Sequence, residues 1–181
     1  MNRVLALVGM AGSGKSEVAR VFEQEGFKRV RFGDTTDEEV KKRGLELNEE
    51  NERWIRESLR REHGMAAYAV LNAARINKAL ETSPVIIDGL YSWEEYVLLS
   101  QRYGPNFAVV AVYASPETRY RRLAARKHRG LTGDEARRRD VAEIANLNKG
   151  GPIAMADFTI ANESTLEELQ RQTERVISLL R

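Results

Sequence analysis

Cysteine is absent from the 181 residues. That excludes disulfides, zinc–thiolate sites, iron–sulfur clusters and cysteine nucleophiles together. Histidine is scarce, with His63 and His128 the two present, so a histidine-rich metal cage is excluded as well. No apolar run reaches the ~18 residues of a membrane-spanning helix. The apolar stretch near the N-terminus, about six residues long, is shorter than the ~7–15 of a signal-peptide core and runs directly into a glycine-rich loop. These absences lead to the expectation of a cytoplasmic protein without a membrane partner. Net charge is also small, +2 from 29 Lys+Arg against 27 Asp+Glu, which argues against bulk nucleic-acid binding.

What is present is the balance of a globular protein, 42% hydrophobic and 31% charged. The length fits one domain over residues 1–181, in a monomer or homodimer. No repeat, low-complexity tract or linker interrupts it. The charge is unevenly placed. Glu117 to Asp140 carries nine Lys+Arg against four Asp+Glu, whereas Asp34 to Glu62 carries seven against ten. The first of these segments suits an anionic ligand.

The periodicity alternates between strand and helix. Val4 to Val8 is continuously apolar, the pattern of a parallel strand covered on both faces. Val18, Val21 and Phe22 follow at helical spacing, and Gly26 can end that helix. Lys28 to Phe32 reads as a second strand that stops at Gly33-Asp34. Helices follow to about Leu80: Asn48 is a candidate N-cap, Trp54, Ile55 and Leu59 form one face, and Gly64 is a break. Val85 to Asp88 is a third strand and Phe107 to Tyr113 a fourth. Ser92 starts the helix between them. Ser115-Pro116 starts another helix, to about Lys127. Thr132 with Glu135, and Ser164 with Glu167, spell capping boxes. Asp157 to Ile160 is a short fifth strand. Strands alternating with helices predict βαβ units and a parallel sheet.

One motif carries chemistry. Residues 9–16 read G-M-A-G-S-G-K-S, the G-x-x-x-x-G-K-[ST] pattern between a buried strand and an amphipathic helix. Gly9, Gly12 and Gly14, with Ala11 and Ser13, let backbone N–H groups turn inward around a phosphate. The helix start that follows, through Glu17, adds positive partial charge. Lys15 reaches the β- and γ-phosphates, and Ser16 can ligate Mg²⁺. Asp88, before Gly89 at the end of the third strand, is a candidate to hold a Mg²⁺-bound water. The other reading of Asp88 is a turn or capping aspartate.

The basic segment contains Arg119, Arg121, Arg122, Arg126, Arg129 and Arg137 to Arg139. Guanidinium groups clamp the charge that spreads over a migrating phosphoryl group. Arg126 and Arg129, at a helix-to-glycine-loop junction, are the candidates for a movable lid over residues 126–140. Arg119, Arg121 and Arg122 read better as a solvated helix face. No aromatic residues interleave with these arginines, which weakens an RNA-binding reading. His63 and His128 read as surface residues, and Trp54 and Trp93 as core positions.

Together these residues resemble the P-loop kinases of small molecules: nucleoside monophosphate kinases, dephospho-CoA kinase, and above all archaeal adenylate-kinase-related proteins that share features of both. The resemblance covers nearly the whole chain, through VGMAGSGKSEVA, FGD, VIIDGL, AVYASPETRYRRLAAR and ADFTIANESTLEELQ. It implies a three-layer α/β P-loop NTPase fold, with a five-stranded parallel sheet of order 2-3-1-4-5. It implies a helical acceptor-binding insert over residues 34–80 and the arginine-bearing lid. It implies ATP and Mg²⁺, with Asn162 and Ser164 near the adenine, and it aligns Arg139 and Asp140 with a second motif after the lid. The sequence departs from its relatives on the acceptor side. Asp37 stands where adenylate-type kinases carry an arginine, and no arginine occupies the region of Tyr91. Arg60 is the preferred substitute, ahead of Arg31 and Arg56. Dephospho-CoA kinase ends its second strand in Asp-x-Asp; here Phe32 replaces the first acid and Asp34 matches the second.

The expected function is an ATP- and Mg²⁺-dependent phosphotransferase acting on a small nucleotide or nucleotide-like acceptor. Lys15 and Arg126 would stabilise the migrating group. Asp34, Arg60, Asp88 and Gly89 would face the acceptor, with Asp34 hydrogen-bonding it or taking a hydroxyl proton. The alternative is a P-loop ATPase or nucleotide-dependent switch that transfers phosphate only to water.

Overall fold

The computed structural model of the chain describes residues 3–126 and 130–180. Five parallel strands form one sheet in the order β2-β3-β1-β4-β5, with β1 Val4–Val8, β2 Lys28–Arg31, β3 Val85–Asp88, β4 Phe107–Tyr113 and β5 Phe158–Ala161. The central strand β1 is buried along its whole length, which is why it reads as an unbroken apolar run rather than an alternating one.

Helices cover both faces. On one, Leu5, Leu7, Ile86, Val110, Val112 and Ile160 pack against α1 (Lys15–Gln24) and α9 (Leu166–Leu180). On the other, Val4, Ala6, Val8, Val85, Ile87 and Val109 pack against residues of α2 (Gly33–Lys42), α3 (Glu49–His63), α4 (Ala67–Leu80) and α5 (Trp93–Tyr103). Period-2 alternation assigns each strand residue to its layer. The three-layer α/β fold and the strand order agree with the sequence expectation. Three further helices, α6 (Pro116–Ala124), α7 (Gly133–Leu147) and α8 (Gly150–Ala154), lie between β4 and β5 in the chain.

Local codes set most boundaries. Asn48 accepts from the Asn51 N–H at 2.9 Å and starts α3. Ser92 with Glu95, and Thr132 with Glu135, form complete capping boxes at α5 and α7. Several expectations are corrected. The cap of α9 is Thr165, which accepts from the Glu168 N–H at 3.3 Å, one residue beyond the Ser164 register. β2 ends at Arg31, one residue earlier than expected, and Gly33 and Asp34 open α2. β5 lies one residue later than expected, and α6 ends at Ala124. α8 has no counterpart in the sequence reading. Trp54 is 46% exposed, with the Arg43 guanidinium over its ring at 5.1 Å, and Trp93 is 36% exposed; neither is a core residue. Among the described residues no helix is long and apolar enough to cross a membrane.

Candidate active site

The loop between β1 and α1 is shaped by glycine. Gly9 has φ +150°, and a methyl group on it would collide with the Val112 carbonyl of β4. Gly14 has φ +100°, and a methyl there would collide with the Asn162 side-chain amide. Only glycine meets both demands, left-handed backbone and close approach.

Lys15 folds its side chain back over this loop. Its Nζ donates to the carbonyls of Gly9 at 2.8 Å and Met10 at 3.1 Å. Burial, and then the positive charge of Lys149, push the ammonium down to about 7, against the pull of Glu143 and Asp88. The ammonium is thus held at low solvation without a carboxylate hydrogen bond of its own, the state of a group awaiting an anion.

The loop is braced from two sides. Asn162, buried just beyond β5, donates to the Ser13 carbonyl at 2.9 Å and accepts from Arg122 at 3.3 Å. The Ser13 hydroxyl and Arg122 Nη1 are buried with no hydrogen-bond partner. On the other side Arg119 donates to the Ala11 carbonyl at 3.2 Å and to Asp140 of α7. Arg119 is 4% exposed, which corrects its reading as a solvated helix face. It lies four residues before the buried Leu123, on the same side of α6, and that spacing is the signal that marks it.

Asp88 ends β3 two residues beyond Ile86, on the α1 side of the sheet. It is 6% exposed and ion-paired with Arg29 of β2, which also meets Glu23 at 3.4 Å. Asp34 is engaged too. Arg31 Nη1 donates to Asp34 at 2.6 Å and to Asp37 at 2.8 Å. Burial opposes the charge on Arg31, but these two acids raise its pKa.

A column of aromatic rings lies just beyond the ends of β2 and β3, and sequence reasoning missed it. Phe32 stacks with Tyr68 at 6.4 Å, and Tyr68 meets Tyr91 edge-on at 5.7 Å. The Arg60 guanidinium sits over Tyr68 at 5.1 Å, and Lys149 Nζ over Tyr91 at 5.3 Å. Tyr68 also shares a 2.6 Å hydrogen bond with Thr36. The region of Tyr91, where the resemblance implies an arginine, therefore holds a ring with a lysine resting on it.

Lys149, 1% exposed, donates to Glu143 at 2.6 Å. Arg139 donates to the other Glu143 oxygen at 3.1 Å and approaches Glu49 of α3 at 3.7 Å. Burial by itself would raise the Glu143 carboxyl; Lys149 and then Arg139 hold it down at about 2. Beside this cluster Glu95 is fully buried. Its Oε2 accepts from the N–H groups of Tyr91 and Ser92, its Oε1 has no hydrogen-bond partner, and burial pushes it up to about 7.

The predicted residues are thus only partly gathered. Gly9 to Ser16, Asn162, Asp88 and Gly89 converge at the ends of β1, β3 and β5. Glu17 instead pairs with Arg20 on an exposed face at 2.9 Å. Arg126 is exposed just beyond α6, and Ser164 is exposed before α9. Arg129 and His128 lie outside the described residues. His63 is exposed, as expected.

Residues 5–145 match the AAA domain family. The UPF0200 protein of Thermococcus kodakarensis is 35% identical over 178 residues, covering 96% of each chain. That of Pyrococcus furiosus is 35% identical over 181 residues, covering 98% of this chain and 97% of its own. That of Methanosarcina barkeri is 32% identical over 181 residues, covering 97% and 95%. Among solved structures, TT1252 from Thermus thermophilus superposes with TM-score 0.65 at 21% identity, covering 99% of this chain and 98% of that one. Shikimate kinase from Bacteroides thetaiotaomicron gives 0.63 at 16%, covering 98% of each. A gluconokinase from Sinorhizobium meliloti gives 0.59 at 17%, covering 98% and 93%. At these identities the structural matches establish a shared P-loop kinase-like fold.

Proposed function

Since the chain belongs to the UPF0200 family and to the AAA-domain P-loop proteins, we propose that it is an ATP- and Mg²⁺-dependent phosphotransferase whose acceptor is a small nucleotide or nucleotide-like molecule. One observation carries the reading beyond nucleotide binding. Arg139 of α7 and Glu49 of α3 approach each other at 3.7 Å, while Arg139 also holds Glu143, whose charge Lys15 senses. The helices that follow β2 and those that follow β4 are therefore bridged beside the phosphate loop. Those are the two segments that would close together over the site, and closure of that kind keeps water away from a transferable phosphoryl group. Among the structural neighbours, those named as kinases of shikimate and gluconate also fit a small acceptor.

The loop N–H groups and Lys15 would hold the donor phosphates, Lys15 exchanging its two carbonyl partners for phosphate oxygens. Asn162 and Arg122 border the same loop, on the side where the adenine would lie. The donor set suits Mg²⁺, since the Ser16 hydroxyl and the Asp88 carboxylate are hard oxygen ligands. Ser16 would bind it directly and Asp88, already paired with Arg29, through water. When bound, Mg²⁺ neutralises phosphate charge. Arg126 and Arg129 remain the candidates to close over the donor.

A coupled assay of ADP release over AMP, CMP, UMP, adenosine and dephospho-CoA tests the reading. ADP release that depends on one of these is expected. Slow release indifferent to all of them would instead support a water-only ATPase or switch.

A further inference from the structure

Lys149 at 2.6 Å and Arg139 at 3.1 Å share a single carboxylate, Glu143, whose charge also reaches Lys15. Of the other acids nearby, Asp88 pairs with Arg29, Glu49 with Arg56 at 2.7 Å as well as with Arg139 at 3.7 Å, and Glu95 is taken up by the N–H groups of Tyr91 and Ser92. Lys149 and Arg139 thus direct two cations at one carboxylate, in a place where Lys149 is 1% and the Glu143 side chain 12% exposed. Buried charge without compensation is costly. Lys149 also lies close enough to Lys15 to oppose its charge. Such an arrangement becomes favourable once an anion with more charge than one carboxylate arrives.

Resting on the phosphotransferase reading, we propose that Lys149 and Arg139 form, beside Lys15, a second oxyanion subsite. Glu143 fills that subsite as an internal stand-in, and a phosphate of the acceptor takes it over. Lys149 and Glu143 enter the subsite from outside any motif of the sequence. Tyr91 supports it from below, with its ring under the Lys149 ammonium at 5.3 Å. Arg139 reaches it from α7, at 3.1 Å from Glu143, and ties it to α3 through Glu49. Exchange of one anion for another spares the cost of bringing an unpaired charge into the protein. The ligand class is a phosphate monoester rather than a neutral alcohol. A neutral alcohol could not replace Glu143 as the anion between Lys149 and Arg139, and the acid expected to deprotonate it, Asp34, is held by Arg31 at 2.6 Å.

The test uses the full chain saturated with Mg²⁺ and a non-hydrolysable ATP analogue, so that the loop is filled, and titrates inorganic phosphate by calorimetry. The wild type is expected to bind phosphate. Lys149→Met should weaken it about tenfold or more, the value of one charge-assisted hydrogen bond, and Lys149→Arg should retain most of it. Glu143→Gln should tighten it severalfold by removing the competing carboxylate. This opposite sign keeps the test decisive even where Lys149→Met fails to fold. Absence of phosphate binding by the wild type, unchanged binding in Lys149→Met, or weaker binding in Glu143→Gln would each overturn the subsite. Failure of the kinase reading appears elsewhere, as absence of analogue binding by the wild type or its persistence in Lys15→Met.

Discussion

Arg119 grips Asp140 with both terminal nitrogens, at 3.0 and 2.6 Å, in an ion pair that is almost fully buried. The same guanidinium donates to the Ala114 carbonyl at 3.1 Å and to the Ala11 carbonyl at 3.2 Å, and the Tyr120 hydroxyl donates to Asp140 at 2.9 Å. One residue thus fastens α6, α7 and the phosphate loop together. Its charge serves the architecture of the loop, and the loop in turn owes its shape to a pairing 21 residues apart in the chain.

Removing either partner leaves a buried charge unanswered. Asp140→Ala or Arg119→Met should therefore lower stability by about 3–5 kcal/mol, measured as the free energy of urea unfolding. The double variant Arg119→Met/Asp140→Leu should recover a large share of that loss. It should still bind ATP more weakly than wild type, because the Ala11 carbonyl loses its brace. Equal losses in the single and double variants would contradict this account.

The protonation of Lys15 gives a sign that can be checked. Unfolded, a lysine holds its proton to about 10.5; in the fold without nucleotide this one releases it at about 7. Between those values the unfolded chain binds more protons, so stability without ligand should rise with pH across that window. Phosphate oxygens favour the charged ammonium, so nucleotide binding at pH 8 should take up protons. Calorimetric titration of ATP in two buffers of different ionisation enthalpy reports that uptake, and Lys15→Met should abolish it.

Glu95 behaves in the opposite sense. Its carboxyl is pushed up to about 7 by burial, from 4.5. The stability it contributes is therefore fully present below about pH 4.5 and is lost as pH rises through about 7. Glu95→Gln keeps an oxygen for the N–H groups of Tyr91 and Ser92 and removes the titration. Its melting temperature relative to wild type should climb between pH 5 and pH 7. Glu95→Ala removes the titration and loses the cap as well, so it should follow the same pH trend about 1 kcal/mol below Glu95→Gln. A pH-independent difference for Glu95→Gln would place the titration elsewhere.

What could be read from the sequence was what neighbouring residues encode. The glycine after β1, the pairs Ser92 with Glu95 and Thr132 with Glu135, and the apolar runs of the strands act over a few positions, and each is realised. The donor loop is legible for the same reason, being eight consecutive residues. The cationic cluster is not. Tyr68 of α4, Tyr91 beyond β3, the Arg139–Glu143 pair of α7 and Lys149 before α8 meet only when the sheet is assembled. α8 is invisible because Gly150-Gly151-Pro152 reads as loop. Arg119 is hidden among its many arginine neighbours, although its spacing to Leu123 marks it as buried. Trp54 follows the opposite logic, since an apolar residue beside Ile55 need not share its face when Arg43 covers the ring.

Gly14 and Asn162 supply the last prediction. Gly14 sits at φ +100°, and the Asn162 amide that holds Ser13 occupies the space a side chain would need. Gly14→Ala therefore carries two burdens, a left-handed backbone costing roughly 1–2 kcal/mol and displacement of the brace. Asn162→Ala removes the obstacle but not the backbone strain. The two substitutions should consequently be non-additive, the double variant losing less melting temperature than the sum of the singles. The ATP-dependent thermal shift should stay depressed in both variants that carry Gly14→Ala, because the loop N–H groups depend on that backbone turn. Additive losses in melting temperature would mean that Asn162 and position 14 do not compete for space. A restored nucleotide shift in the double variant would mean that the contact with Asn162, and not the glycine conformation, is what the phosphate loop requires.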